Sequence, residues 1–198
     1  MTIIDRPSFN PSSSESVQAF LEQLLQTQTP ISTEEGLQLF DALAPVDLDF
    51  MFGRWQGMGL PSNHPMDGLL EAASWYGKEF VDAEQVHPLL FTMPNGDIIR
   101  VAPNPNAMKM TLSLPLPKNL NTPALKWMFT AITGVLKTEQ SQARLRMMDY
   151  RGKVSATMIY DHLPINDSFR KIDENRVFGV MDYKEIKQPF FFALTRVS

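Results

Sequence analysis

Phe52-Gly53-Arg54-Trp55-Gln56-Gly57-Met58-Gly59 sets Gly53, Trp55, Gly57 and Gly59 at every second position. In an extended chain alternate side chains share a face, so one side of this segment carries a single indole and otherwise bare backbone. Such a strand admits close approach by a neighbour, and something large is expected to pack over its glycines. The strand needs partners, and the sequence supplies them on its C-terminal side.

Gln142 to Tyr150, Val154 to Tyr160, Asp167 to Ile172, Val177 to Asp182 and Phe190 to Arg196 read as five strands of a meander, with turns at Arg151-Gly152 and Glu174-Asn175. Leu89 to Met93 and Ile98 to Val101 flank Pro94-Asn95-Gly96-Asp97, where Asn-Gly predicts a type I′ hairpin turn. Met108, Met110, Leu112 and Leu114 alternate with Lys109, Thr111 and Ser113, the pattern of a half-buried strand. The sum is about eight or nine strands, and about eight is the number at which a closed barrel just holds one small ligand. The expected fold class is α+β: an antiparallel, closed β-barrel with N-terminal helices and one inserted helix.

Those helices show apolar residues at helical spacing. Ser14 caps a first helix carrying Val17, Phe20, Leu21, Leu24 and Leu25. Ser32-x-x-Glu35 is a capping box opening a second, with Leu37, Phe40 and Ala44 on one side. Together, residues 1–45 read as an N-terminal helical cap, and 46–198 as a single barrel domain. Pro65 to Tyr76 predicts a short helix, with Met66, Leu69, Leu70 and Ala73 on one face. Residues 122–137 predict an inserted helix whose apolar arc, including Trp127, exceeds half its circumference, suited to closing a barrel end or meeting a second copy in a homodimer.

Composition narrows the classes of function. The 198 residues suffice for one substantial core, and 43% hydrophobic residues place the chain away from disorder. Eighteen basic against twenty-two acidic residues, with no basic run, argue against a nucleic-acid partner. No stretch approaches the ~20 apolar residues of a membrane span and no leader pattern opens the chain, so a cytoplasmic location is expected. Without cysteine, thiolate chemistry and cysteine-ligated metal are excluded. The three histidines, at 64, 87 and 162, lack metal-ligand spacing, and no metal is expected. Neither a nucleophile elbow nor a phosphate-binding glycine loop occurs.

The leading expectation is therefore a cavity for a small, mainly apolar molecule, with Trp75, Tyr76, Tyr160 and His162 near its mouth and methionines such as Met158 along its wall. His64, in the loop entering the 65–76 helix, is placed to meet an anionic ligand group at a helix N-terminus. The alternative is a cofactor-independent enzyme: His162 as acid or base, Asp161 or Asp167 orienting it, and Arg170 holding substrate charge.

Gly53-x-Trp55-x-Gly57, the Pro61 to Phe91 region and the terminal meander with Tyr160-Asp161-His162-Leu163-Pro164-Ile165 together resemble the GXWXG family, in which a partner domain of unknown function follows the motif. The resemblance implies an architecture, spanning a motif segment at 46–102 and a meander at 142–197, and little biochemistry. The motif is also similar to that of lipocalin-like (calycin) barrels, in which Gly-x-Trp on the first strand packs beneath a basic residue on the last. That similarity implies a latch between Trp55 and Arg196. The extended pattern looks like the opening of nitrobindin-type haem barrels as well. Their C-terminal histidine ligand has no counterpart between Phe190 and Ser198, so haem is not the expected cofactor and none other is implied.

Overall fold

The computed structural model describes residues 14–106, 108 and 122–197. The strands are β1 (Ala44–Pro45), β2 (Gly53–Leu60), β3 (Trp75–Phe80), β4 (Val86–Thr92), β5 (Ile98–Arg100), β6 (Ala143–Tyr150), β7 (Lys153–Tyr160), β8 (Ile165–Asp173), β9 (Arg176–Tyr183) and β10 (Ile186–Arg196). The helices are α1 (Ser14–Thr27), α2 (Thr33–Ala42), α3 (Leu48–Met51), α4 (Leu69–Ala72) and α5 (Pro123–Val135).

Eight strands close a barrel in chain order, β2-β3-β4-β6-β7-β8-β9-β10, each antiparallel to the next. The ring shuts where β10 returns to β2, from Arg196 opposite Trp55 to Phe191 opposite Leu60. The glycine-tryptophan strand thus joins the C-terminal meander, and closure leaves β2 and β10 no free edge to template aggregation. Short β1 and β5 pair with β8 and β4. One seam is thin: β4 and β6 share a single ladder pair, Val86 with Ala143, supported by amide donation from Gln142 to the Val86 carbonyl.

Period-two alternation divides the two faces. On β10, Phe190, Phe192 and Leu194 point inward while Phe191 and Ala193 point out. α1 and α2 cover that outer face through Leu21, Leu39 and Phe40, which pack on Phe178, Val180 and Phe191. These helices lie against the barrel's outer wall, not over an open end. The Ser32–Glu35 capping box forms reciprocally at the start of α2, satisfying backbone donors that the helix itself cannot.

Three glycines admit rings that no other residue would. A Cβ on Gly57 would lie 2.2 Å from the Trp75 indole, one on Gly179 would lie 2.3 Å from the Phe192 ring, and one on Gly36 would lie 2.5 Å from Phe191. The bare face of the motif strand is therefore filled by Trp75.

That seat explains the main departure from expectation. Pro65 to Tyr76 is not one helix: only Leu69–Ala72 is helical, between left-handed residues Gly68 (φ 76°) and Ser74 (φ 62°), and Trp75-Tyr76 begin β3. The helical spacing of Met66, Leu69 and Leu70 is real but local, because the indole must cross Gly57. The hairpin between β4 and β5 also differs. Asn95 keeps a negative φ and only Gly96 is left-handed (φ 88°), since Pro94 fixes its own φ near −65° and directs the chain away from type I′. The type I′ signature of two left-handed residues appears instead at Arg151-Gly152 (φ 56° and 75°). Met108 lies in a helical turn, bonded to the Asn104 carbonyl, and not in a strand; Met110, Leu112 and Leu114 lie outside the described residues. Finally, α5 is buried on one side only, with Trp127 75% and Val135 85% exposed. Among the described residues no helix is long and apolar enough to cross a membrane.

Candidate functional site

One half of the barrel is solid. Trp55, Phe80, Phe169 and Leu194 are fully buried, and Phe169 meets Phe80 and Phe192 edge-on at 5.7 and 6.2 Å between ring centres. This is ordinary core packing and leaves no room for a guest.

The other half is hollow. An outer chamber of about 140 Å³ lies between α4, β4 and α5, walled by Leu69, Ala73, Phe91, Phe129 and Ile132. An inner chamber of about 70 Å³ reaches into the barrel between Trp75, Tyr160, Phe190 and Phe192. Met66, Leu70, Leu89 and Met108 line both, so the chambers adjoin. These volumes fall below the ~300 Å³ of common ligand sites, yet a dry apolar cavity of about 150 Å³ accepts a single benzene ring.

The floor of the inner chamber is charged. Lys78 on β3 sits opposite Trp55 in register and Asp167 on β8 opposite Met158, so both project inward among apolar neighbours. Their side chains are 4% and 1% exposed, and Lys78 Nζ lies 2.9 Å from Asp167 Oδ2. Lys78 also donates to the Pro88 carbonyl at 3.2 Å and to the Tyr160 hydroxyl at 3.4 Å, and its ammonium lies 5.1 Å from the centre of the Phe192 ring. Burial pushes the Asp167 carboxyl upward against the opposing pull of the Lys78 ammonium. Burial, with the Asp167 charge beside it, holds the Tyr160 phenol protonated well past its usual range.

Two groups on this floor have unused capacity. Asp167 Oδ1 is buried with no hydrogen-bond partner among the described residues. Tyr160 accepts from Lys78, and among the described residues no acceptor stands against its own O–H. An orphaned buried carboxylate oxygen costs on the order of 1–3 kcal/mol or more, which a guest or a water supplying a donor would offset.

The residues singled out from sequence divide accordingly. Trp75, Tyr160 and Asp167 meet at the inner chamber. Tyr76, the next residue along β3 from Trp75, lines neither chamber. His64 is buried beneath the loop before α4, its Nδ1 accepting from the Met66 amide and its ring 5.4 Å from Phe190, outside both chambers. Burial pulls its pKa down, against the positive charge an anion there would call for.

The acid–base constellation is not assembled. His162 is exposed on the loop between β7 and β8, and Asp161 turns to Arg144 at 3.8 Å. Asp167 faces the barrel interior, so neither loop residue reaches it. Nor can Arg170 hold substrate charge in the cavity. Three residues along a strand reverse the face, and Arg170 projects outward beneath α2, stacked 4.5 Å from the Phe40 ring and donating to the carbonyls of Phe169, Tyr150 and Lys153. Trp55 and Arg196 meet at the seam, the guanidinium carbon 4.2 Å from the indole centre and its nitrogens donating to the carbonyls of Phe50 and Phe52.

Sequence reasoning missed Lys78. Once Trp75–Phe80 is a strand, Lys78 shares the inward face of Phe80, two residues on, and a lysine on an apolar face is the available signal.

The crystal structure of a protein from Thermomonospora curvata is similar to this chain, with 31% identity and a TM-score of 0.67 over 92% of this chain and 99% of that one. No curated protein matches the sequence. Residues 38–96 match the family described as GXWXG protein, and residues 141–196 match the domain of unknown function DUF4334. On this barrel the first match supplies the latch strand and the wall bearing Lys78, and the second supplies Tyr160, Asp167 and the strands that close the ring; the chain belongs to the GXWXG family, joined to the DUF4334 domain.

Proposed function

We propose that this protein binds a small, mainly apolar molecule of about single-ring size in the hollow half of its barrel. The observation that supports this is an apolar two-part cavity ending on a buried polar floor, Lys78, Asp167 and Tyr160, whose remaining hydrogen-bonding capacity no described residue uses. Binding sites are generally apolar with a few convergent polar groups, and this cavity has that make-up at the small end of the range.

The test uses toluene as probe and the indole N–H signals of the three tryptophans in nitrogen-edited NMR as reporters. Trp75 lines the inner chamber, Trp55 sits in the solid half and Trp127 is exposed. Saturable movement of the Trp75 signal alone is expected. Leu89→Phe, which narrows the passage shared by the chambers, should abolish that movement without unfolding the protein. Equal drift of all three signals would mean non-specific partitioning and would reject the cavity as a binding site.

A further inference from the structure

Resting on the cavity reading above, we infer that the ligand is a neutral molecule carrying one hydroxyl group, an alcohol or a phenol, bound with that hydroxyl on Asp167 and Tyr160. The inference comes from what the floor lacks. Asp167 Oδ1 needs a donor and has none among the described residues, although its residue is among the most deeply buried in the barrel. Tyr160 has no acceptor for its O–H among the described residues, its oxygen already accepting a hydrogen bond from Lys78. On an organic guest a hydroxyl oxygen is the smallest group that supplies both at one atom, and the inner chamber, about 70 Å³, has no room for a bulkier polar group beside a ring.

Charge excludes the neighbouring ligand classes. Lys78 and Asp167 cancel each other at 2.9 Å, and among the described residues no other ionisable group except the phenol of Tyr160 lines either chamber. A carboxylate guest would face Oδ1 and an ammonium guest would face Lys78, each leaving a like charge in a medium with little water to screen it. A hydrocarbon of the same shape would fit the walls, but would leave Oδ1 as it is. Sites built to hydrogen-bond a hydroxyl reject the analogue without it, because their own buried groups then stay unpaired.

The test titrates p-cresol, p-xylene and 4-methylbenzoate, three molecules sharing one ring and differing in the group para to a methyl, against the Trp75 indole signal of the full-length protein. p-Cresol is expected to bind about 10- to 100-fold more tightly than p-xylene, the factor for a hydrogen bond to a charged acceptor. 4-Methylbenzoate is expected to bind more weakly than either. Tyr160→Phe, which removes one oxygen and little volume, should cut the cresol-to-xylene ratio by about tenfold while leaving the xylene affinity within about twofold. Equal affinities for p-cresol and p-xylene would overturn the hydroxyl assignment and leave the apolar cavity standing. Tightest binding of 4-methylbenzoate would overturn it in favour of an anion held by Lys78. Failure of all three to bind saturably would overturn the assignment and the cavity reading together. Should Tyr160→Phe not fold, the ratio in the unmodified protein decides alone.

Discussion

Lys78 and Asp167 are two full charges taken out of water, and each costs several kcal/mol to desolvate before their attraction at 2.9 Å is counted. The pair is therefore tolerated rather than stabilising, and removing one member should hurt more than removing both. Lys78→Met is expected to destabilise the fold by about 3–5 kcal/mol in urea unfolding, because Asp167 is left buried and unpaired. Adding Asp167→Leu should return at least half of that loss; a double variant as unstable as the single would show that the two charges do not act as a pair. Gly57 carries a different constraint. Its missing Cβ is the space the Trp75 indole occupies, so Gly57→Ala should cost about 1–3 kcal/mol and shift the Trp75 indole signal, while the same change at Gly134, which faces open space, should disturb neither.

At the scale of elements, the loop from Pro61 into α4 is held by carboxylate caps and by one buried histidine. Asp67 accepts from the amides of Ser62 and His64, and His64 accepts from Met66. Burial is the largest influence on His64 and lowers its pKa below 6.5 despite the nearby Asp67 charge. With the folded value depressed, the unfolded chain takes up its proton first as pH falls. The stability held at neutral pH is thus lost progressively below about 6.5. His64→Asn, whose side-chain oxygen can accept in place of Nδ1, should flatten that slope between about pH 6.5 and 5 in stability measurements at fixed urea. A slope unchanged by the substitution would place the proton uptake elsewhere.

The same elements show what a sequence discloses. Strands β6 to β10 were legible because turn signals such as Arg151-Gly152 and Glu174-Asn175 bound their apolar runs, even though β9 and β10 bury both faces, and the α2 box because its two capping residues sit three apart. The region from Pro65 to Tyr76 misled, because four residues of true helical spacing run into a strand whose start is set by a tertiary contact, Trp75 over Gly57. Alternation also governs the site. Ile165, Asp167 and Phe169 share the inner face of β8 whereas Arg170 does not, so the period separates two residues that proximity in sequence suggested joining. Lys78 stayed hidden because its strand did.

For the whole molecule, stability is distributed unevenly around the ring. Between β10 and β2 six consecutive pairs run from Phe191–Leu60 to Arg196–Trp55, and the seam ends under the Arg196 guanidinium, held by the rings of Trp55 and Phe50 and two carbonyls. Outer helices reinforce that side: Gln18 of α1 donates to the Ile172 carbonyl, and Phe191 packs into the gap at Gly36. Across the barrel, β4 and β6 share the single Val86–Ala143 pair. Local opening follows the fewest cross-links, so amide exchange should expose this asymmetry directly. The Gln142 and Leu145 amides, bonded across the thin seam to Val86 and Ala83, are expected to exchange about tenfold or more faster than the amides of Phe191 to Leu194, which lie between β2 and β9. Arg196→Ala should narrow that gap from the other side, raising exchange along β10 while leaving Gln142 and Leu145 unchanged. If both seams exchanged at one common rate, the barrel would open only as a whole, and its uneven pairing would have no energetic consequence.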